Sequence, residues 1–289
     1  MSLTLRPHPG PSLPGTALPP GCTLKKPARR GAAQRGFNKV KGERLKVKSF
    51  LSRNELKNLH FSFFTFHLSL LTFHLILMTF SDFALGVYPF LELQPFHRTY
   101  YRVLEAFAAG RIRRLIVTMP PQHGKSVGAT TLLPAYLLGL DPDLRVAVAS
   151  YSGSLASKFN RRVQRILESR EYAAFFPGTA IKQGAKPAGY IRTADEVEII
   201  GRRGGLLSVG REGSLTGNRV DCFVLDDLYK DALEANSPLV RANCWEWYTS
   251  VVRTRMHNAS RELIVFTRWH EEDLIGTLAA REPVEELRE

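Results

Sequence analysis

Cysteine is scarce: the 289 residues hold three, Cys22, Cys222 and Cys244. That excludes a fold built on disulfides. The spacing also fits no cysteine metal site, so a reducing compartment is expected. Acidic residues are nearly missing from the first sixty positions. Residues 1–60 hold 13 of the 40 Lys and Arg but, of the 27 Asp and Glu, only Glu43 and Glu55. Residues 61–289 therefore carry 27 basic against 25 acidic side chains. The formal charge of +13 belongs to the N-terminal segment, and it is weak evidence that the remainder binds a polyanion. Apolar side chains are not scarce. A hydrophobic content of 44% excludes complete disorder, and the length allows one large domain or two small ones.

Residues 1–36 contain Pro7, Pro9, Pro11, Pro14, Pro19, Pro20 and Pro27, which deny the segment helix and sheet. Lys and Arg dominate residues 37–58. Residues 1–58 therefore read as an irregular basic tail. Charge is then absent from His60 through Ser81. A seven-residue unit runs three times in tandem, HFSFFTF, HLSLLTF and HLILMTF, with His first, Thr sixth and Phe seventh. Three readings of residues 59–80 stay open. The length and the basic N-terminal flank suit a membrane anchor with that flank cytoplasmic, although His, Ser and Thr weaken the signal. A helix packed on the domain or on itself is the second. The third is an upstream region of low complexity, translated from a start codon placed too early. Some sixty residues precede the run, which argues against a signal peptide.

From Ser81 onward the composition is that of a globular domain, expected to span 81–289. Apolar runs at 114–119, 145–150, 196–200, 206–209, 222–225 and 262–267 read as strands. Helical patterns occupy 96–109, 124–138, 154–168 and 238–255, with one more from about 271. Ser237 and Pro238 mark a helix start. Strands alternating with helices predict an α/β fold, a mostly parallel sheet flanked by helices.

Residues 119–126 read MPPQHGKS, directly after a strand and directly before a helix. This is the context of a phosphate-binding P-loop, G-x-x-x-x-G-K-[ST], with Met119 in place of the first Gly. The turn Pro121-Gln122-His123-Gly124, through the N–H groups of Gln122, His123 and Gly124, and the helix N-terminus would cradle phosphates. Lys125 would neutralise the β- and γ-phosphates of ATP, and Ser126 would ligate Mg²⁺. The strand Phe223-Val224-Leu225 ends in Asp226 and Asp227. Asp226 would hold the Mg²⁺ hydration shell and Asp227 would orient the attacking water. Alone, the pair also reads as a cap on a buried strand. The strand 145–150 falls between the two motifs in the chain, and an inserted strand points to the RecA-like branch of P-loop proteins. Thr267, at the end of the last strand, would sit beside the phosphate loop and sense the γ-phosphate. Its alternative is a strand end anchored by Trp269.

With these landmarks, residues 81–281 resemble the large terminase subunit of tailed bacteriophages, the DNA-packaging ATPase. The resemblance is carried by QPFHRTYY from Gln94, GRIRRLIVTMPPQHGKS from Gly110, and ASYSGSLASKFNRRVQRIL from Ala149. GREGSLTGNRVDCFVLDDLYKD from Gly210 and FTRWHEEDLIG from Phe266 complete it. The family's loop commonly begins Pro-Pro, which accommodates Met119. The resemblance implies an adenine-side role for Gln94, Phe96 and His97, which helix-start packing would explain equally well. It implies phosphate and Mg²⁺ roles for Lys125 and Ser126. It makes Asp226 the Mg²⁺ acid, Asp227 the catalytic acid (often Glu in the family) and Thr267 part of the motif coupling hydrolysis to DNA movement. Where the family often has Arg in the loop, this chain has Gln122. Arg219 is then a candidate finger, in cis or in trans, with a solvated or structural Arg as the alternative.

The family's partners would be double-stranded DNA, a portal protein, a small terminase subunit and further copies in a ring, in the cytoplasm of a bacterial host. Only 19 residues follow His270, so the two-metal nuclease half of such proteins, and with it DNA cleavage, is not expected. A local cluster at Arg98, Arg102, Arg111, Arg113 and Arg114 reads either as a DNA contact or as a solvated face. A helicase-like P-loop ATPase and an inactive truncated prophage remnant are the competing functions.

Overall fold

The computed structural model describes residues 78–181, 189–215, 217 and 219–282. The tail and most of the seven-residue repeat lie outside the described residues, as do the readings placed on them. Two units are distinguished, Met1–Leu68 and Ser69–Glu289, and the described residues all belong to the second. Among the described residues no helix is long and apolar enough to cross a membrane.

The folded domain reaches back at least to Met78, ahead of the boundary expected at Ser81. Helix α1 (Phe80–Val87) begins inside the last repeat. Thr79 caps it: its hydroxyl accepts from the Asp82 N–H at 3.1 Å while the Asp82 carboxylate accepts from the Thr79 N–H at 3.2 Å. Phe80 is fully buried, 5.1 Å from each of the Tyr101 and Tyr136 rings. An aromatic side chain so placed removes about 150–250 Å² from water, which fixes the residue inside the domain.

Helix α2 (Pro95–Ala108) carries Pro in its first turn and buries His97, Tyr100, Tyr101, Leu104, Phe107 and Ala108, the one-face spacing of an amphipathic helix. Strand β1 (Arg114–Thr118) follows. After the loop comes a π-helical stretch, Val127–Leu132, running into α3 (Leu133–Leu140). Strand β2 (Arg145–Ser150) leads to α4 (Gly153–Leu167), capped by Ser152, and to the short α5 (Arg170–Phe175). Strands β3 (Glu196–Glu198), β4 (Gly205–Gly210) and β5 (Val220–Asp226) come next. Helices α6 (Ala232–Asn236) and α7 (Pro238–Trp247) precede a second π-helical stretch, Tyr248–Val252, and the single turn α8 (Arg253–Arg255). Strand β6 (Met256–Phe266) and helix α9 (Leu274–Arg281) close the described chain.

The continuous helix expected over 238–255 is thus interrupted. The hydroxyls of Thr249 and Ser250 bond back to the carbonyls of Trp245 and Glu246 at 3.0 and 2.6 Å, competing with the helical ladder. Strand β6 starts at Met256, six residues ahead of the expected position, because its first part pairs with Val220 across an irregularity in the β5–β6 ladder.

The sheet order is β1-β6-β5-β2-β4-β3, parallel except for the edge strand β3. The strand lying between β1 and the acidic strand β5 is therefore β6, not 145–150, which sits on the far side of β5. Side chains alternate between two cores with period two. Val146, Val148, Cys222, Val224, Leu263 and Val265 join the core beneath α1–α5. Ala147, Ala149, Phe223, Leu225, Ile264 and Phe266 join the one beneath α7 and α9. Both faces are covered, as the near-continuous apolar strands require.

At the N-terminal end of the sheet Asp221 ties three strands together. It accepts from the Arg145 guanidinium at 2.9 and 3.0 Å, from the Arg145 N–H at 2.9 Å, and from His257 Nε2 at 2.8 Å. Burial alone would raise its carboxyl; the Arg145 and His257 bonds outweigh it and hold it down at about 2. A depressed folded value gives stability that is present above the ordinary 3.8 and lost as pH falls through about 2. Asp221→Asn is expected to cost about 1–2 kcal/mol at neutral pH, Arg145 being partly solvated. Urea unfolding at a series of pH values should show that cost shrinking below about pH 4; a cost independent of pH would contradict it.

Candidate active site

The order β1-β6-β5 brings three strand ends together at the carboxyl end of the sheet, where α/β proteins bind ligands. From β1 issues the loop 119–124, from β6 Thr267, and from β5 Asp226 and Asp227. Met119 N–H donates to the Phe266 carbonyl at 3.3 Å, so the loop starts in register with the end of β6. Two loop positions are left-handed, Gln122 (φ 62) and Gly124 (φ 74). Met119 is not, which is why the first Gly of the P-loop pattern is dispensable in this chain.

Gly124 is needed for conformation and for space. A Cβ there would lie 3.0 Å from His97 Nε2. His97, buried on α2, accepts the Gln94 N–H at Nδ1, at 3.0 Å. Its Nε2–H therefore donates to the His123 carbonyl at 3.1 Å. His97 thus buttresses the loop from beneath, and Phe96 lies 4.0 Å from its ring and 5.7 Å from that of His123. The Gln94 side chain is exposed. His123 turns its own Nδ1–H to the Pro121 carbonyl at 2.7 Å.

Beyond the loop, Tyr100 Oη–H donates to the Lys125 carbonyl at 2.8 Å and Thr130 Oγ1 to the Ser126 carbonyl at 2.5 Å. These bonds draw carbonyls away from the regular ladder where the π-helical stretch begins, a feature common at functional sites. Burial, then Asp226, then Tyr101 push the Tyr100 phenol well up, so it remains a donor.

Lys125 is buried, with its Nζ 2.8 Å from Asp227 Oδ2 and 2.6 Å from Thr267 Oγ1. Asp227 Oδ1 accepts the Thr267 N–H at 2.6 Å. One carboxylate thus joins the lysine that follows the loop to the end of β6. Its backbone is left-handed (φ 37), a strain of about 1–3 kcal/mol that is characteristic of functional positions. Ser126 Oγ donates to Asp226 Oδ1 at 3.1 Å. Burial first, and Asp227 second, push the Asp226 carboxyl up to about 7 against the opposing pull of Ser126 and Lys125. Two adjacent carboxylates with one ammonium fit a divalent cation. Among the described residues no group of three or more His, Cys, Asp or Glu could hold one unaided. Nucleotide oxygens or water would have to complete the shell around Ser126 and Asp226.

The family model of the terminase large subunit, T4likevirus-type, N-terminal, matches residues 116–288. The chain belongs to this terminase family. The match contains every residue of the Lys125–Asp227–Thr267 arrangement and leaves out Gln94 and His97. The crystal structure of the HK97 bacteriophage large terminase is similar at 15% identity with a TM-score of 0.43. That likeness covers 71% of this chain and 43% of the HK97 chain, so the terminase chain spans less than half of that protein. No curated protein sequence matches it.

Two expectations about this terminase change with the geometry. Arg219 lies just ahead of β5, at the N-terminal end, where it lines a groove with Arg145 and Arg203. Six residues of β5, spanning about 20 Å, lie between Arg219 and Asp226. Arg219 therefore cannot act as a finger in cis. Besides Arg268 after β6, Arg211 after β4 lies at the carboxyl end, and sequence reasoning passed it over. Its guanidinium bonds the Leu228 carbonyl at 2.9 Å and Glu234 at 3.2 Å and lies 5.9 Å from the Tyr229 ring centroid. Trp269, the suggested anchor of the β6 end, is 43% exposed. Arg268 is the anchor instead, bonded to buried Asp273 at 2.6 Å and to the carbonyls of His270 and Glu271.

The arginine cluster is also divided. Arg98 and Arg102 lie exposed on α2. Arg114 is paired with Glu262 and Glu282, and Arg113 bonds the Asn258 carbonyl at 3.3 Å.

Proposed function

We propose that this domain is the ATP-hydrolysing motor of a terminase large subunit that drives double-stranded DNA packaging in a phage or prophage. The observation that carries the reading is Lys125, held between Asp227 and Thr267 beside the Ser126–Asp226 pair. In this reading the N–H groups of residues 122–126 receive the ATP phosphates at the helix N-terminus, behind Pro121. Lys125 can swing the N–H that Asp227 Oδ2 accepts over to a γ-phosphate while still holding Thr267. That turn frees Asp227 Oδ2 to orient the attacking water, while the Thr267 N–H keeps the other oxygen in place. Mg²⁺, when bound by Ser126, Asp226 and the nucleotide, would supply neutralisation of phosphate charge. Because Thr267 both holds the acid and ends β6, a change at the γ-phosphate is passed to the Arg268–Asp273 loop. His97 acts as the loop's internal support. The portal, a small subunit, a ring of copies and a bacterial host cytoplasm come with the family reading.

The test is ATP hydrolysis by the full chain with Mg²⁺, with EDTA, and with linear duplex DNA added. Hydrolysis that needs Mg²⁺ and rises with duplex DNA is expected. A folded chain that hydrolyses no ATP would overturn the motor, and unwinding of a forked duplex would favour a helicase.

A further inference from the structure

The exposed face of α4 carries a row of cations that the active-site reading does not use. Lys158, Arg161, Arg162 and Arg165 are all exposed, spaced three, four and seven residues from the first, so they share one face. The helix holds no Asp or Glu, and none of the four makes an ion pair among the described residues. Arg162 only lies over the Phe159 ring at 6.0 Å. Like charges at these spacings repel, and a helix face evolved only for solvation mixes signs. A polyanion is what such a face complements.

We infer that this face of α4 is a contact surface for the phosphate backbone of duplex DNA. The opposite, apolar face, with Ala156, Phe159, Val163, Ile166 and Leu167, is buried in the domain core, so no apolar surface remains to enter a membrane. The exposed face offers no aromatic ring, and single-strand binding relies on stacking platforms. Four cations along a rigid helix, about 10 Å from first to last, suit a stiff, regularly charged duplex read without base contacts. The helix that carries the row starts beside the candidate site. Tyr151 N–H donates to the Asp227 carbonyl at 3.2 Å, and Ser152 caps the helix through the Leu155 N–H at 3.3 Å. The choice of duplex DNA as the occupant rests on the proposed motor function; the basic row does not.

The experiment measures binding of the full chain to a mixed-sequence duplex of about 30 base pairs by fluorescence anisotropy over a series of salt concentrations. Wild type is compared with Lys158→Gln/Arg161→Gln/Arg165→Gln and with a charge-matched control, Arg202→Gln/Arg203→Gln/Arg281→Gln, all exposed. The basic tail contributes equally to all three, so the difference in salt slope isolates α4. The α4 variant should flatten the slope of log K against log[salt] by about 2–3, at roughly 0.9 per lost phosphate contact, with the control unchanged. Circular dichroism melts confirm that both variants fold. An unchanged slope in the folded α4 variant, an equal change in the control, or tighter binding of wild type to single-stranded DNA than to duplex would overturn the inference. ATP hydrolysis without DNA, measured in parallel, should match wild type. A flattened slope in a chain without ATPase activity keeps the surface and removes the motor. Normal hydrolysis with an unchanged slope does the reverse.

Discussion

Lys125→Ala should lower kcat for ATP hydrolysis by about 10²- to 10³-fold, the loss seen when one preorganised charge-stabilising donor is removed. The geometry explains why the effect is concentrated in one side chain. Lys125 is the ammonium that touches Asp227, and it also holds Thr267 Oγ1, so its removal deletes the phosphate partner of the proposed reading and unties the loop from β6. A stability cost comes with it. Without Lys125, Asp227 loses its ammonium partner and the buried Asp226 beside it loses the opposing pull of that charge, which is costly. Thermal unfolding therefore has to accompany the kinetics, and a fluorescent ATP analogue separates lost binding from lost chemistry. If the folded variant turned over ATP at the wild-type rate, Lys125 would be a structural ion pair and the site would lie elsewhere.

The elements of this site were legible in the sequence because each is local. A strand, Pro-Pro, Gly-Lys-Ser and a helix occur in order, and CFVL runs straight into two acids. What joins them is not local. That β6 lies between β1 and β5, bringing Thr267 to Lys125, depends on pairings that include partners more than a hundred residues apart in the chain. Sequence order shows only that 145–150 falls between the two motifs in the chain, and in the sheet it lies beyond β5. Arg219 could have been judged from strand direction alone, since a residue just before a strand cannot reach the acids at its far end. His97 reads from the sequence equally as an adenine-side residue or as helix-start packing, and the contacts of its two ring nitrogens, both with backbone groups, could not be foreseen. The π-helical turns had no periodic signal; they follow from hydroxyls of Tyr100, Thr130, Thr249 and Ser250 taking carbonyls from the ladder. The start of the domain was obscured for a different reason. Phe80 closes a repeat that looks like low complexity and yet fills the aromatic core.

Asp226→Asn should do two opposite things. In EDTA and without nucleotide it should stabilise the fold, by on the order of 2 kcal/mol above about pH 7. Burial and the neighbouring Asp227 raise the Asp226 carboxyl from 3.8 to about 7 in the folded chain. A raised folded value means that its contribution to stability is fully present below 3.8 and is lost as pH rises through about 7. Asn, which still accepts the Ser126 hydroxyl through its carbonyl oxygen, carries no charge to bury. The difference in Tm between variant and wild type should therefore open between about pH 4 and pH 7 and stay level above. Adding Mg²⁺ and ATP should reverse the ranking, because binding that favours the native state stabilises wild type and the variant has lost a ligand. Hydrolysis should fall with it, so that the substitution raises stability while removing function, a trade expected where a site holds unfavourable charge in place. A Tm difference that does not change with pH would show that Asp226 is not held against its charge. If the Asp226→Asn variant still gained Mg²⁺-dependent stabilisation equal to wild type, the cation would have to be held by other residues than Ser126 and Asp226.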